Sequence, residues 1–377
     1  MAVEVIREKM EAGGEDLASM NVPSRLAKLR ERLGRERVGG ILVASLSNIR
    51  YLCGFSGSSA LLVVTARRTL LVTDGRYRDQ AAVETAAAGV EVDLAVGTAA
   101  RQVEAIEAAT RNLARLALEA KAVSWAFQAE LAAALRPELL ATSGFVEGVR
   151  LAKDAGEVAR IERACDIADV AFAQTKQRLT EGATEAEFAA ELEFEMRRRG
   201  AAQASFETIV ASGPNGAMPH ARPTNRVISP GDLVVVDFGA VFDGYHSDMT
   251  RTVCVGEPSA ADANLLAAVA ASQRAGIIAV KSGVTGGAVD EACRKSLADA
   301  GYGEAFTHST GHGVGLDVHE APTLAAGSED ELPEGAVVTV EPGAYLLGHG
   351  GVRIEDTMVV RASGCRQLTK TTKDYTF

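Results

Sequence analysis

The sequence predicts an α/β domain up to residue 150, followed by an α+β domain over 151–377. Three observations lead there. The chain has 377 residues, too many for one ordinary core and suited to two. Before residue 150, short apolar strand-like runs alternate with helix-like stretches. After it, long helices are followed by strand hairpins.

Residues 1–22 read as an amino-terminal extension and 23–150 as the first domain. Ser24 is expected to cap a helix carrying Leu26, Leu29 and Leu33. ILVAS (41–45), ALLVVT (60–65) and TLLVT (69–73) read as strands. The Ala-rich run from Arg76 to Ala88 reads as helix. LALE (116–119) is a further strand between helical stretches 99–114 and 124–135. GFSGSS (54–59) lacks the lysine and the full glycine spacing of a phosphate loop.

The second domain opens with a helical pattern from Asp154 to Leu179, with Ile161, Ala164, Ile167, Ala168, Ala171 and Phe172 on its apolar face. Thr184 and Glu187 form a capping-box pattern for a second helix, which runs to Arg199 and stops at Gly200. A helix pair is expected around 260–280 and 285–300. There is no low-complexity segment and no short-period repeat.

Composition narrows the function. The chain is 47% hydrophobic and 24% charged, the balance of a soluble globular protein. A net charge of -11 argues against nucleic acid as a main partner. Residues 1–150 carry a net +1 and residues 151–377 a net -12. All six histidines lie in the acidic part. Five dispersed cysteines without a CxxC pair suggest buried free thiols in a reducing compartment. The first twenty residues lack the apolar stretch of a signal peptide, and no apolar run approaches a membrane span. The chain therefore reads as cytoplasmic, with no membrane partner.

The strongest chemical signal is DLVVVDFGAVFDGYHSDMTRTVCV (232–255). Asp243-Gly244 is a strong two-residue hairpin signal. With that turn, Phe242 faces Tyr245, Gly239 faces Asp248 and Asp237 faces Thr250. Asp237 and Asp248 then share a face on a diagonal, with side chains in reach of each other. Gly239 leaves room beside Asp248. A bulge near Tyr245 would shift this register. Two buried carboxylates so close repel unless a cation or a shared proton lies between them.

Three more segments add ligand types. THSTGHGVGLDVHE (307–320) holds His308, His312 and His319. TVEPGAY (339–345) puts Glu341 at the end of an apolar strand. GVRIEDTMVV (351–360) puts Arg353 and Glu355 on one strand face, where they could also simply pair. Four carboxylates and a histidine suit two divalent cations. Pure oxygen ligation favours calcium or magnesium; an added imidazole moves the choice toward manganese, cobalt, iron or zinc.

These motifs resemble the pita-bread metallopeptidases, which include methionine aminopeptidase, prolidase and aminopeptidase P. The resemblance covers nearly the whole chain. It implies a pita-bread catalytic domain whose metal ligands are Asp237, Asp248, His312, Glu341 and Glu355. NIRYLCGFSGSSALLVV (48–64) and TDGRYRDQA (73–81) resemble the creatinase-like amino-terminal domain of the proline-directed members. Methionine aminopeptidases lack that domain. By the same resemblance His220 contacts the scissile bond or leaving group, and His319 holds the carbonyl or oxyanion. His308, Tyr345 and Arg353 match positions around the proline-side pocket. His246 and His349 match no role, and His246 is expected to be structural.

The implied activity is hydrolysis of an Xaa-Pro bond at a free amino terminus, as in aminopeptidase P. The substrates are peptides with proline second. Prolidase, an Xaa-Pro dipeptidase, is the alternative, because Arg353 could serve either enzyme. The implied cofactors are two divalent ions, with manganese expected first. Bridged by Asp248 and Glu355 at about 3.5–4 Å, they would share a hydroxide that attacks the carbonyl. Glu341 would move the proton. A homodimer is expected from the family. A non-catalytic binding module and a metal-free amidinohydrolase share the fold, but the complete ligand set speaks against both.

Overall fold

In the first unit, runs of Ile, Leu and Val make a mixed six-stranded sheet. The structure is a computed structural model and describes residues 17–373. Residues 1–16 of the expected extension lie outside the described residues. The chain separates into two compact units, Met1–Arg150 and Leu151–Phe377.

The first unit contains β1 (Gly40–Val43), β2 (Ala60–Thr65), β3 (Thr69–Thr73), β4 (Asp93–Val96), β5 (Arg115–Glu119) and β6 (Glu138–Thr142). Their order is β4-β3-β2-β1-β5-β6. The β1–β2 and β2–β3 pairs are antiparallel; the other three are parallel. Ile106 and Leu131, from helices Ala99–Thr110 and Trp125–Ala134, pack on Leu42, Val63, Leu70 and Leu116. Each such fully buried side chain contributes about 1.5–3 kcal/mol.

Two local expectations are corrected here. The first helix starts at Val22, with Pro23 in its opening turn, where no backbone donor is needed. Ser24 lies inside that turn and donates to Asn21 O at 2.9 Å. The strand expected over 41–45 ends at Val43, because Ser45 caps the unforeseen helix Leu46–Cys53.

The second unit begins with helices Ala155–Thr175 and Glu185–Arg198. Thr184 and Glu187 form the expected capping box. These helices pack through Phe172, Phe188 and Leu192 on Val234, Val236 and Phe238. Short strands β7 (Gln203–Ala204) and β8 (Ile209–Ser212) follow. β9 (Leu233–Phe238), β10 (Ala240–Phe242), β11 (Tyr245–His246) and β12 (Met249–Cys254) come from the hairpin segment. Helices Ala260–Ala279 and Gly286–Asp299 form the expected pair. They pack through Leu265, Val269 and Leu297 on Val338, Val340 and Met358. Those three lie in the sheet β14-β13-β15-β18-β19. Its strands are β13 (Gly311–Gly313), β14 (Glu320–Leu324), β15 (Val337–Val340), β18 (Asp356–Arg361) and β19 (Gly364–Gln367). β16 (Gly343–Leu346) and β17 (Gly350–Arg353) form a separate hairpin.

The Asp243-Gly244 turn is as expected, with φ of 46° and 76°. Phe242 pairs with Tyr245 and Asp237 with Thr250. The hairpin is nevertheless split. β8, β9 and β12 form one sheet, and β7, β10 and β11 another. A Cβ on Gly239 would lie 2.0 Å from the Ser247 carbonyl oxygen. Gly239 therefore admits the Ser247 main chain, which corrects the expectation of space beside Asp248.

Candidate metal centre

Five acidic and imidazole side chains are carried on strands or strand ends of the second unit. Asp237 is on β9, Asp248 precedes β12, His312 is on β13, Glu341 follows β15 and Glu355 precedes β18. Ligand atoms of Asp248, His312 and Glu355 lie within 4.8 Å of one another. His312 Nε2 is 3.3 Å from Glu341 Oε1 and 3.6 Å from Asp248 Oδ2. The strand pairing sets this geometry. β9 and β12 bring in the aspartates, and β13, β15 and β18 are neighbours in one sheet.

The glycines beside His312 permit the approach. A Cβ on Gly311 would lie 2.2 Å from Thr339 O, and one on Gly313 2.2 Å from Ala321 O. Only glycine lets neighbouring main chains come this close. His312 Nδ1 lies 3.1 Å from Gly313 O. With Nδ1 turned to that carbonyl, Nε2 is the atom that faces the carboxylates and would bind a cation in place of its contact with Glu341.

The electrostatics ask for a cation. Burial, and then the charge of Glu355, Asp237 and Glu341, pushes Asp248 well above the usual carboxylate range. Burial, and then Glu341 and Asp237, does the same to Glu355. Burial also raises Asp237, against the opposing pull of Arg353. Glu341 is the exception: burial works to raise it, but the hydrogen bond and charge of His312 hold it low. Asp237 Oδ1 and Glu355 Oε1 are buried with no hydrogen-bond partner. Buried carboxylate oxygens are normally satisfied. Two such orphans beside an imidazole nitrogen that faces Glu341 and Asp248 are what divalent-cation ligands look like.

The surrounding residues were partly foreseen. Arg353 does not pair with Glu355: Nη2 donates to Asp237 Oδ2 at 2.6 Å. β17 ends at Arg353, and the chain turns before β18 begins at Asp356. The strand is interrupted there, but Arg353 Nε and Glu355 Oε2 both meet Thr250 Oγ1, so the two side chains do point the same way, as expected. Arg353 also donates to Thr250 Oγ1, Tyr345 Oη and Pro219 O. Tyr345 Oη lies 2.8 Å from His308 Nε2, so these three expected pocket residues form one chain. Burial holds His308 below its ordinary value. The His319 ring centroid is 4.3 Å from that of His312. Burial, followed by the His312 charge, lowers His319 too. His220 is exposed, in the loop between Ala217 and β9. It is an electrostatic neighbour of His308 and His319.

His246 N donates to Gly315 O at 2.8 Å, near enough for the ring to act on His319. His349 Nε2 pairs with Asp262 at 2.8 Å.

Several supporting residues escaped the sequence reading. Thr250 Oγ1 donates to Glu355 Oε2 at 2.8 Å. Thr339 Oγ1 accepts from His312 N and lies 3.2 Å from Glu341 Oε1. Both threonines lie in the same strands as foreseen motifs, where alternation alone could have drawn attention to them. Lys153 and Glu320 form a buried ion pair at 2.6 Å next to His319. Glu185, fully buried, accepts from Ser212, Asn215 and Thr224, the flanks of the His220 loop. These last contacts cross long stretches of chain and leave no local pattern.

Fold and cluster together are those of a metallopeptidase with an added amino-terminal α/β domain. The chain belongs to the metallopeptidase family M24, whose pattern covers residues 159–362. Residues 25–152 match the creatinase/prolidase N-terminal domain. An uncharacterized peptidase, YqhT, of Bacillus subtilis (strain 168) is 40% identical over 93% of this chain and 99% of its own. The structure of an Xaa-Pro dipeptidase from Bacillus anthracis superposes with a TM-score of 0.90 at 36% identity, covering 94% of this chain and 100% of that one. An X-Pro aminopeptidase from Thermotoga maritima superposes at 0.84 and 35% identity, covering 92% and 100%. The pita-bread catalytic domain and creatinase-type first domain expected from the sequence are therefore present.

Proposed function

We propose that this chain removes the first residue from peptides whose second residue is proline, as an Xaa-Pro aminopeptidase. Asp237, Asp248, His312, Glu341 and Glu355 would hold two divalent cations, manganese first among the candidates. Divalent cations in such a cluster supply Lewis acidity, polarising a carbonyl and acidifying water. Asp248 and Glu355, whose oxygens approach the same point as His312, would bridge them.

The remaining steps fall to this chain's own groups. Glu341, a carboxylate at neutral pH, would take a proton from water. The same carboxyl can return it to the proline nitrogen as the bond breaks. His319, whose ring lies beside that of His312, would donate to the developing oxyanion. His220 would meet the leaving group. His308 and Tyr345 would border the proline ring, with Arg353 fastening Tyr345 from behind. An Xaa-Pro bond offers no N–H, so a dedicated pocket replaces the contact that other peptidases make.

The observation that carries the choice of aminopeptidase is the commitment of Arg353. A dipeptidase must hold its substrate's carboxylate. The guanidinium of Arg353 is 3% exposed and already spans Asp237, Thr250, Tyr345 and Pro219. The Bacillus anthracis relative, named Xaa-Pro dipeptidase, favours the second reading, that of a prolidase. Hydrolysis of Xaa-Pro and Xaa-Pro-Yaa-Zaa peptides with manganese separates the two. The proposal expects the longer peptide to be cleaved at least as well. Cleavage of the dipeptide alone makes this a prolidase.

A further inference from the structure

A second cluster of buried charges lies behind the candidate ligands. Asp356 follows Glu355 in sequence and is 0% exposed. Its Oδ1 accepts from Arg251 Nη2 at 2.7 Å and Thr369 Oγ1 at 2.8 Å. Its Oδ2 accepts from Gln273 Nε2 at 2.8 Å and pairs with Lys373 Nζ at 2.6 Å. Burial works to raise Asp356, but Arg251 and Lys373 outweigh it and hold the carboxyl low.

Arg251 reaches beyond this pair. Its Nη1 donates to Thr250 O at 2.9 Å and to Glu355 O. Its Nη2 and Nε donate to Thr371 O at 2.7 and 3.3 Å. One guanidinium thus grips the main chain at Thr250 and at Glu355, the Asp356 carboxylate and the segment 368–373. That segment is fastened in turn. Leu368 N donates to Thr357 O at 2.9 Å. Lys370 N and Thr371 N donate to the two oxygens of Asp169, each at 2.7 Å. Asp169 belongs to the helix Ala155–Thr175.

A planar guanidinium with this many fixed acceptors has little freedom to move. The two main-chain points it joins carry the Thr250 hydroxyl and the Glu355 carboxylate, which meet at 2.8 Å. We propose that Arg251, locked by the segment 368–373, is a positioning residue that sets Glu355 for cation binding. This rests on the metal-centre reading above. Outer contacts of this kind commonly tune metal affinity by about 10–100-fold.

Arg251→Lys keeps the charge, but one ammonium cannot span the same acceptors. Calorimetric titration of metal-free protein with Mn²⁺ is expected to show affinity about 10–100-fold weaker than wild type. A purely structural Arg251 would lower the melting midpoint of the metal-free protein and leave Mn²⁺ affinity unchanged; that result overturns the proposal. Lys373→Met, at the partly exposed edge of the strap, is the second variant should Arg251→Lys not fold. Weaker Mn²⁺ binding by Lys373→Met supports the proposal, and unchanged binding overturns it. Wild-type protein that binds no Mn²⁺ defeats the metal-centre reading instead, and the positioning role with it.

Discussion

Arg353 Nη2 sits 2.6 Å from Asp237 Oδ2, while the other oxygen of that carboxylate is buried without a hydrogen-bond partner. The arginine pairs with Asp237 on one side and leaves Oδ1 open to the proposed cation. Arg353→Met removes one partner of a buried pair, a change that costs about 3–5 kcal/mol. Denaturant unfolding should show that loss in metal-free protein. Manganese should return part of it, because a cation also neutralises Asp237. An equal loss with and without manganese would separate Asp237 from the metal centre.

Asp248 is raised by burial and by three carboxylate neighbours, so the metal-free cluster is strained by like charge. Asp248→Asn should therefore abolish hydrolysis while leaving metal-free protein as stable as wild type, or more so. Saturating manganese at about 100 times its Kd adds about 2.7 kcal/mol to a protein with one such site. The variant should lose most of the manganese-induced rise in melting midpoint. A full rise would refute the bridging role.

Glu185 tests the ordering of the His220 loop. Burial works to raise its pKa, but hydrogen bonds from Thr224 and Ser212 outweigh it and depress the folded value. A depressed carboxyl contributes stability above its unfolded pKa and loses it as pH falls through the folded one. Glu185→Gln should cost about 1–3 kcal/mol at neutral pH. The gap to wild type should narrow below the ordinary glutamate range. A gap that stays constant as pH falls below that range would contradict this.

Gly311→Ala places a methyl group 2.2 Å from Thr339 O, one residue from His312. Overpacking of this kind costs about 1–3 kcal/mol. The melting midpoint should fall, and an unchanged midpoint would show that β13 and β15 separate freely.

Much of the site was legible because its residues sit in short motifs on strands. The Asp243-Gly244 turn dictated the pairing of Asp237 with Thr250, and the structure keeps that register. The Thr184–Glu187 cap was legible for the same local reason. What escaped depends on distant partners. Arg353 and Asp237 are 116 residues apart, so no spacing rule could join them. The helix Leu46–Cys53 is only 8 residues long, too short for a clear 3.6-residue stripe. β4 is an edge strand with two exposed residues, and its parallel partner supplies no turn signal. Arg251 drew no attention in the sequence, because its partner Thr371 lies 120 residues away.

The most direct test loads metal-free protein stepwise with manganese. Bound metal and the rate of Xaa-Pro cleavage are measured on the same samples. The account predicts activity that rises with loading and saturates near two ions per chain. Full activity with a metal content near zero would contradict it.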